Sequence, residues 1–180
     1  ICLVTLAPAF IITGLFFHQI HLTEFKNWDL SWFAICFAAF AICRFSSAIL
    51  IGPIIDRKSA RELLHWYLAP LILGLLLLSI SDHKVTAIIF MMLAGISTGS
   101  GGNISTALWA EIYGTIHLGG IRALASAVMV FSSALSPAIL GWLIDHHITI
   151  NAICFVMAGY AIAVSMFAYI NLYSKPKNLH

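Results

Sequence analysis

The chain has 180 residues, 61% of them hydrophobic and 9% charged, with a mean hydropathy of +0.99. Soluble domains carry about 25% charged residues, so nine bases and seven acids cannot wet the surface of a globule of this length. A net charge of +2 offers no basic stripe to nucleic acid, and the composition is that of an integral membrane protein whose partner is the lipid bilayer.

A spanning helix needs about 20 mainly apolar residues. Six such stretches follow one another, at 1–22, 31–51, 63–80, 85–113, 121–144 and 148–173, joined by short polar connections. They predict an all-α bundle, since a membrane β-barrel would show alternating segments of about ten residues. The chain opens inside its first run, at Ile1, and that run lacks the basic start and small-residue cleavage site of a signal peptide. We read it as a fragment with further sequence upstream. The four cysteines lie in apolar runs without CxxC spacing, so they read as packed hydrophobes, and neither a metal nor a cofactor is expected.

Orientation follows from the bases. Arg57, Lys58, Arg61, Arg122, Lys175 and Lys177 fall on one set of alternate connections, whereas Lys26 and Lys84 sit on the other beside Glu24, Asp29, Asp82 and Asp145. The positive-inside rule then places 52–62, 114–120 and the tail 174–180 in the cytoplasm.

The connection at 52–62 opens with Gly52-Pro53-Ile54-Ile55-Asp56-Arg57-Lys58-Ser59-Ala60-Arg61. It resembles the GxxxDRxGRR loop of the major facilitator superfamily, which lies between the second and third helices and again between the eighth and ninth. Ser59 and Ala60 stand where that family usually has a glycine and a basic residue. Leu108-Trp109-Ala110-Glu111-Ile112-Tyr113-Gly114, followed by His117-Leu118-Gly119-Gly120-Ile121-Arg122, looks like the end of the tenth helix leading into the eleventh. Ser136-Pro137-Ala138-Ile139-Leu140-Gly141-Trp142-Leu143-Ile144-Asp145 resembles the outer half of the eleventh helix in bacterial members.

The resemblance covers all 180 residues in order. It implies that 1–180 form one domain, helices seven to twelve, the C-terminal six-helix half of a twelve-helix transporter built as two inverted three-helix repeats. The N-terminal half of the same transporter is then the missing partner, and the C-terminus is cytoplasmic in a multi-pass protein of the cell inner (plasma) membrane. In the family the first, second, fourth and fifth helices of each half line the cavity. The gating motif carries over to Gly52, which would allow close helix approach, Asp56, which would cap a helix in the other half, and Arg57 and Arg61, which can pair with carboxylates. Glu111 is expected to form a state-dependent latch with Arg57.

Arg44 stands 12 residues after Trp32 and 8 before Gly52, roughly 12 Å from the cytoplasmic end at 1.5 Å per residue. A base at that depth costs about 2.5–3.5 kcal/mol on insertion scales and faces a cavity or a partner. A guanidinium facing water is a fork for a carboxylate; the other readings are a pair with an acid upstream and snorkelling. Members that carry monocarboxylates or oxalate place an arginine in the eighth helix, about one turn nearer the loop glycine. The serines, threonines and glycines of 95–106 and 126–136 read mainly as helix-packing residues, with Asn103 the exception.

We read the chain as a secondary active transporter of a small organic anion, such as a monocarboxylate, working by alternating access. Arg44 would hold the substrate with Asn103, Thr98 and Gln19. Proton symport would use an acid upstream, with His18 a candidate for proton or ion coupling and the His18–His21 pair otherwise an interfacial one. The alternatives are a carrier of neutral or cationic compounds with Arg44 structural, and a six-helix membrane enzyme or channel subunit. Neither a catalytic constellation nor a pore ring stands out, so no enzyme is expected.

Overall fold

The computed structural model describes residues 2–173; Ile1, Lys175, Lys177 and the tail 174–180 lie outside the described residues. Among these, all regular structure is helical: α1 (Cys2–Phe17), α2 (Gln19–Phe25), α3 (Leu30–Arg57), α4 (Ala60–Leu63), α5 (Ala69–Ile80), α6 (Lys84–Tyr113), α7 (Leu118–Asp145) and α8 (Ile150–Tyr173). Helices α3, α6, α7 and α8 are long and apolar enough to cross a membrane.

The remaining elements depart from the six unbroken runs expected above. The run 1–22 breaks at His18, where α1 and α2 meet at a bend of 67°. His18 leaves helical geometry (φ −96°, ψ 27°), and its Nδ1 lies 3.0 Å from the Gly14 carbonyl oxygen. The bend swings α2 across so that Lys26 and Trp28 reach the α5–α6 connection. The run 63–80 also divides. Pro70, in the first turn of α5, suits a helix start because it needs no N–H partner there. The preceding turn is pinned by Tyr67, which is buried, donates its hydroxyl to the Val4 carbonyl, and accepts from Ser97 Oγ at 2.8 Å through its own carbonyl.

Two close approaches set the packing. Helix α3 lies along α6, where a Cβ on Gly95 would stand 2.5 Å from Phe40 O and 3.1 Å from Arg44 N. One on Gly99 would overlap Arg44 O and Ser47 Oγ. Helix α1 lies along α7, with Gly14 against Ser136 and Leu140, and Ser136 Oγ donates to Phe10 O at 2.5 Å. Helix α5 packs between α6 and α8. Small residues at such crossings let backbones meet and gain dispersion contact where the bilayer supplies no hydrophobic force between helices.

At the end of the bundle carrying α2, the Lys26 side chain is fully buried. Its ammonium donates to Leu78 O in the last turn of α5 at 2.8 Å, to Ser81 O at the C-cap of that helix at 3.2 Å, and to the Asp82 carboxylate. Trp28 Nε1 donates to Asp82 O at 2.6 Å and Trp32 Nε1 to Lys84 O at 3.1 Å. This clasp ties the α2–α3 connection to the α5–α6 connection and places a cation where the α5 dipole is negative. Asp29 caps α3 by accepting from Ser31 N at 2.7 Å, a bond that holds its carboxyl below the usual carboxylate range.

Gly99→Val should lower the thermal stability of the purified protein by several degrees, since overpacking costs about 1–3 kcal/mol. Gly159→Ala, with open space around it, should leave the midpoint unchanged or raise it slightly; a thermal melt of both variants checks this. In the clasp, Lys26→Met should cost about 1–3 kcal/mol by stranding two carbonyls, and more than Asp82→Asn, because the Asp82 side chain is 65% exposed. Equal melting points for these two variants would contradict the clasp.

Candidate functional site

Helices α1, α3, α6 and α7 surround a cavity of about 750 Å³, with Tyr67 at its wall, while α5 and α8 stay outside it. Each helix turns one face inward at helical spacing. On α3 this face is Phe37, Phe40 and Arg44; on α6 it is Thr98, Gly101, Gly102, Ser105, Thr106 and Trp109; on α7 it is Arg122, Ser126, Met129 and Ser133. The charged lining residues are Arg44 and Arg122, and no carboxylate lines the cavity among the described residues.

Arg44 takes its place from the α3–α6 contact. Gly95 and Gly99 press on its backbone, so its side chain is free to leave that seam for the cavity. Its guanidinium lies 5.9 Å from the Phe40 ring centroid and makes no hydrogen bond or ion pair with a described residue. Arg122 was grouped above with the connection 114–120. Helix α7 starts at Leu118, a full turn earlier, and carries Arg122 onto the inward face. The spacing Arg122, Ser126, Met129, Ser133 was a readable signal of that face, masked by counting bases for topology.

The other residues singled out from the sequence are dispersed. Thr98 lines the cavity, and its hydroxyl donates to Ala94 O at 2.8 Å. Asn103 lies outside the lining and donates Nδ2 to Ala48 O at 2.7 Å, a bridge between α6 and α3. Gln19 opens α2, half-buried and outside the lining. His18 sits at the α1–α2 break, with Nε2 3.4 Å from where a Cβ on Gly141 would stand.

At the opposite end of the bundle from Lys26, α3 continues through Gly52, Asp56 and Arg57, so these residues form the last turns of a helix rather than a loop. Gly52 has open space around it. Asp56, Arg57 and Arg61 are exposed, and their side chains make no hydrogen bond or ion pair with described residues. Glu111, on the last turns of α6, accepts instead from Ala60 N at 2.8 Å. With Ser59 Oγ accepting from Glu62 N at 3.3 Å, the first turn of α4 is capped from both sides.

The family model of the Major Facilitator Superfamily matches residues 1–180. The chain belongs to the major facilitator superfamily. It is therefore a multi-pass membrane protein and a membrane transporter in general class. Comparisons with curated proteins and with solved structures find no match. Against the superfamily's loop pattern, the departures at Ser59 and Ala60 have a local reason here. Ser59 supplies an N-cap, and Ala60 is fully buried beneath Glu111, where a long basic side chain would not fit.

Removing this cap has a direct readout. Glu111→Ala should accelerate amide hydrogen exchange across 60–64 by roughly three- to tenfold, the worth of one net hydrogen bond, and Glu111→Gln, which keeps an acceptor, should do so less. Unchanged exchange in Glu111→Ala would show that the cap does not hold α4.

Proposed function

We propose that residues 1–180 are the C-terminal six-helix half of a twelve-helix secondary transporter of a small organic anion. The six spans would be α1 with α2, α3, α4 with α5, α6, α7 and α8. The packing supports two inverted repeats. Exchanging the first three spans for the last three turns the α3–α6 contact into α7–α1 and the α5–α6 contact into α8–α1, leaves α5–α8 paired with itself, and each of these contacts is present. The same exchange maps the four cavity helices onto one another. Transport would follow from rocking of this half against the missing N-terminal half around a midplane site. The setting is the cell inner (plasma) membrane of a bacterium, with the connections near Arg57 and Arg122 and the C-terminus on the cytoplasmic side.

The observation that carries the substrate class is the charge of the cavity: two guanidiniums and no carboxylate among the described lining residues. An arginine fork binds a carboxylate in two parallel charge-assisted bonds, and a low-dielectric wall strengthens them. A cationic solute would meet repulsion from both bases. Arg44 is the anion contact at mid-depth, with Thr98 beside it; Arg122, nearer the start of α7, raises the local concentration of anions at the cytoplasmic mouth. Glu111 with Arg57 and Asp56 forms the gating set, with Glu111 capping α4 in this state and Arg57 its partner in the other. Proton symport would draw on an acid of the N-terminal half, and His18, at the α1–α2 break, is the coupling candidate on this side.

Uptake of labelled small carboxylates by cells expressing the full-length carrier tests this. Arg44→Gln should abolish uptake at unchanged membrane abundance, a loss of at least tenfold given the 1.5–3 kcal/mol of charged hydrogen bonds. Equal uptake in both would remove Arg44 from the substrate site. Uptake of neutral or cationic solutes alone would replace the anion reading.

A further inference from the structure

Four of the cavity hydroxyls share an arrangement that narrows the class of anion. Thr98 Oγ1 donates to Ala94 O at 2.8 Å, Ser105 Oγ to Gly101 O at 2.6 Å, Thr106 Oγ1 to Gly102 O at 2.9 Å and Ser133 Oγ to Val130 O at 2.9 Å. A hydroxyl has one proton and two lone pairs. Each of these groups has given its proton to its own helix, so what it offers the cavity is a lone pair. The α6 wall is therefore lined by acceptors at Thr98, Ser105 and Thr106.

We infer that this carrier selects carboxylates bearing hydroxyl groups over unsubstituted alkyl carboxylates, an inference that rests on the anion reading above. The register supports it. Gly99 packs on the backbone of Arg44, so Thr98 stands at the level of the arginine, and Ser105 and Thr106 lie about 11 Å further along α6 at 1.5 Å per residue. A carboxylate held by Arg44 presents the hydroxyl on its neighbouring carbon to Thr98, whereas Ser105 and Thr106 are within reach only of an acid whose hydroxyls extend about 11 Å along α6. An alkyl chain in the same place would desolvate these oxygens and give them no donor, which costs free energy for each one stranded. An ammonium could also donate, but among the described residues two guanidiniums and no carboxylate line the cavity, so a hydroxyl is the donor that fits the charge.

The test is calorimetric binding of propionate, lactate and glycerate to the purified full-length carrier, which carry no, one and two hydroxyls on the same three-carbon chain. The expected result is a Kd roughly three- to tenfold lower for lactate than for propionate, as one net hydrogen bond to Thr98 provides, with little further gain for glycerate, whose second hydroxyl does not reach Ser105 or Thr106. Thr98→Val should raise the Kd for lactate more than that for propionate, whereas Arg44→Gln should weaken all three together. Propionate binding as tightly as lactate and glycerate would overturn the inference and leave the anion reading standing. An equal loss for propionate and lactate in Thr98→Val would overturn it as well. No binding by any of the three would overturn both.

Discussion

The approach of α3 to α6 at Gly95 and Gly99 is the contact on which the cavity depends. It is close enough that a Cβ on Gly99 would overlap the Arg44 carbonyl, so the two backbones touch where other helices would hold side chains apart. Two consequences follow from that one constraint. The side chain of Arg44 is excluded from the seam and must project beside it, into the space bounded by α1 and α7. The hydroxyl face of α6, starting at Thr98, is brought to the same level as the guanidinium. Dispersion at a close crossing is what bilayer-embedded helices have in place of hydrophobic burial, and here it also sets the register of a charged group and its wall.

The same constraint separates two uses of small polar residues that share one composition. Ser136 and Asn103 each hydrogen-bond to the backbone of a different helix, at Phe10 and Ala48, and act as packing links. Thr98, Ser105 and Thr106 return their protons to their own helix and face the cavity. Side-chain to backbone bonds of this second kind release no donor to a ligand, yet leave an acceptor pointing away from the helix. Asn103 stood out in the sequence as the polar exception in its helix. Its carboxamide was the group best able to bridge to α3, and that is what it does.

Much of the architecture was legible because hydropathy and length decide it. The helical class, the four long spans and the inward face with Arg44 all follow from apolar periodicity interrupted by one costly charge. The break at His18 was not legible, since 1–22 reads as one run long enough to span; beyond the break, Lys26 bonds carbonyls more than fifty residues away and ties down the end of α2. Arg122 was hidden for a different reason. Its charge near a connection already had a reason in topology, and only the packing of α7 against α1 shows that it lines the cavity. Arg57 and Glu111 were expected to pair, and Glu111 caps α4 instead. A sequence cannot show which of two acceptable partners a carboxylate chooses in one conformational state.

That choice links the end of the bundle to the cavity. Glu111 and Trp109 stand two residues apart on α6, the first holding the start of α4 and the second lining the cavity. Helix α4 leads into the turn that carries Tyr67, which also lines the cavity and is hydrogen-bonded to α1 and α6. A shift of Glu111 from Ala60 to another partner would therefore release α4 and the Tyr67 turn from one end while α6 itself stays packed on α3. On the proposed gating role, the bistable element that a gate requires would be a single carboxylate between a helix N-terminus and an exposed arginine. Because α4 has only four residues, it has few internal hydrogen bonds, and the caps from Glu111 and Ser59 are a large share of what holds its first turn.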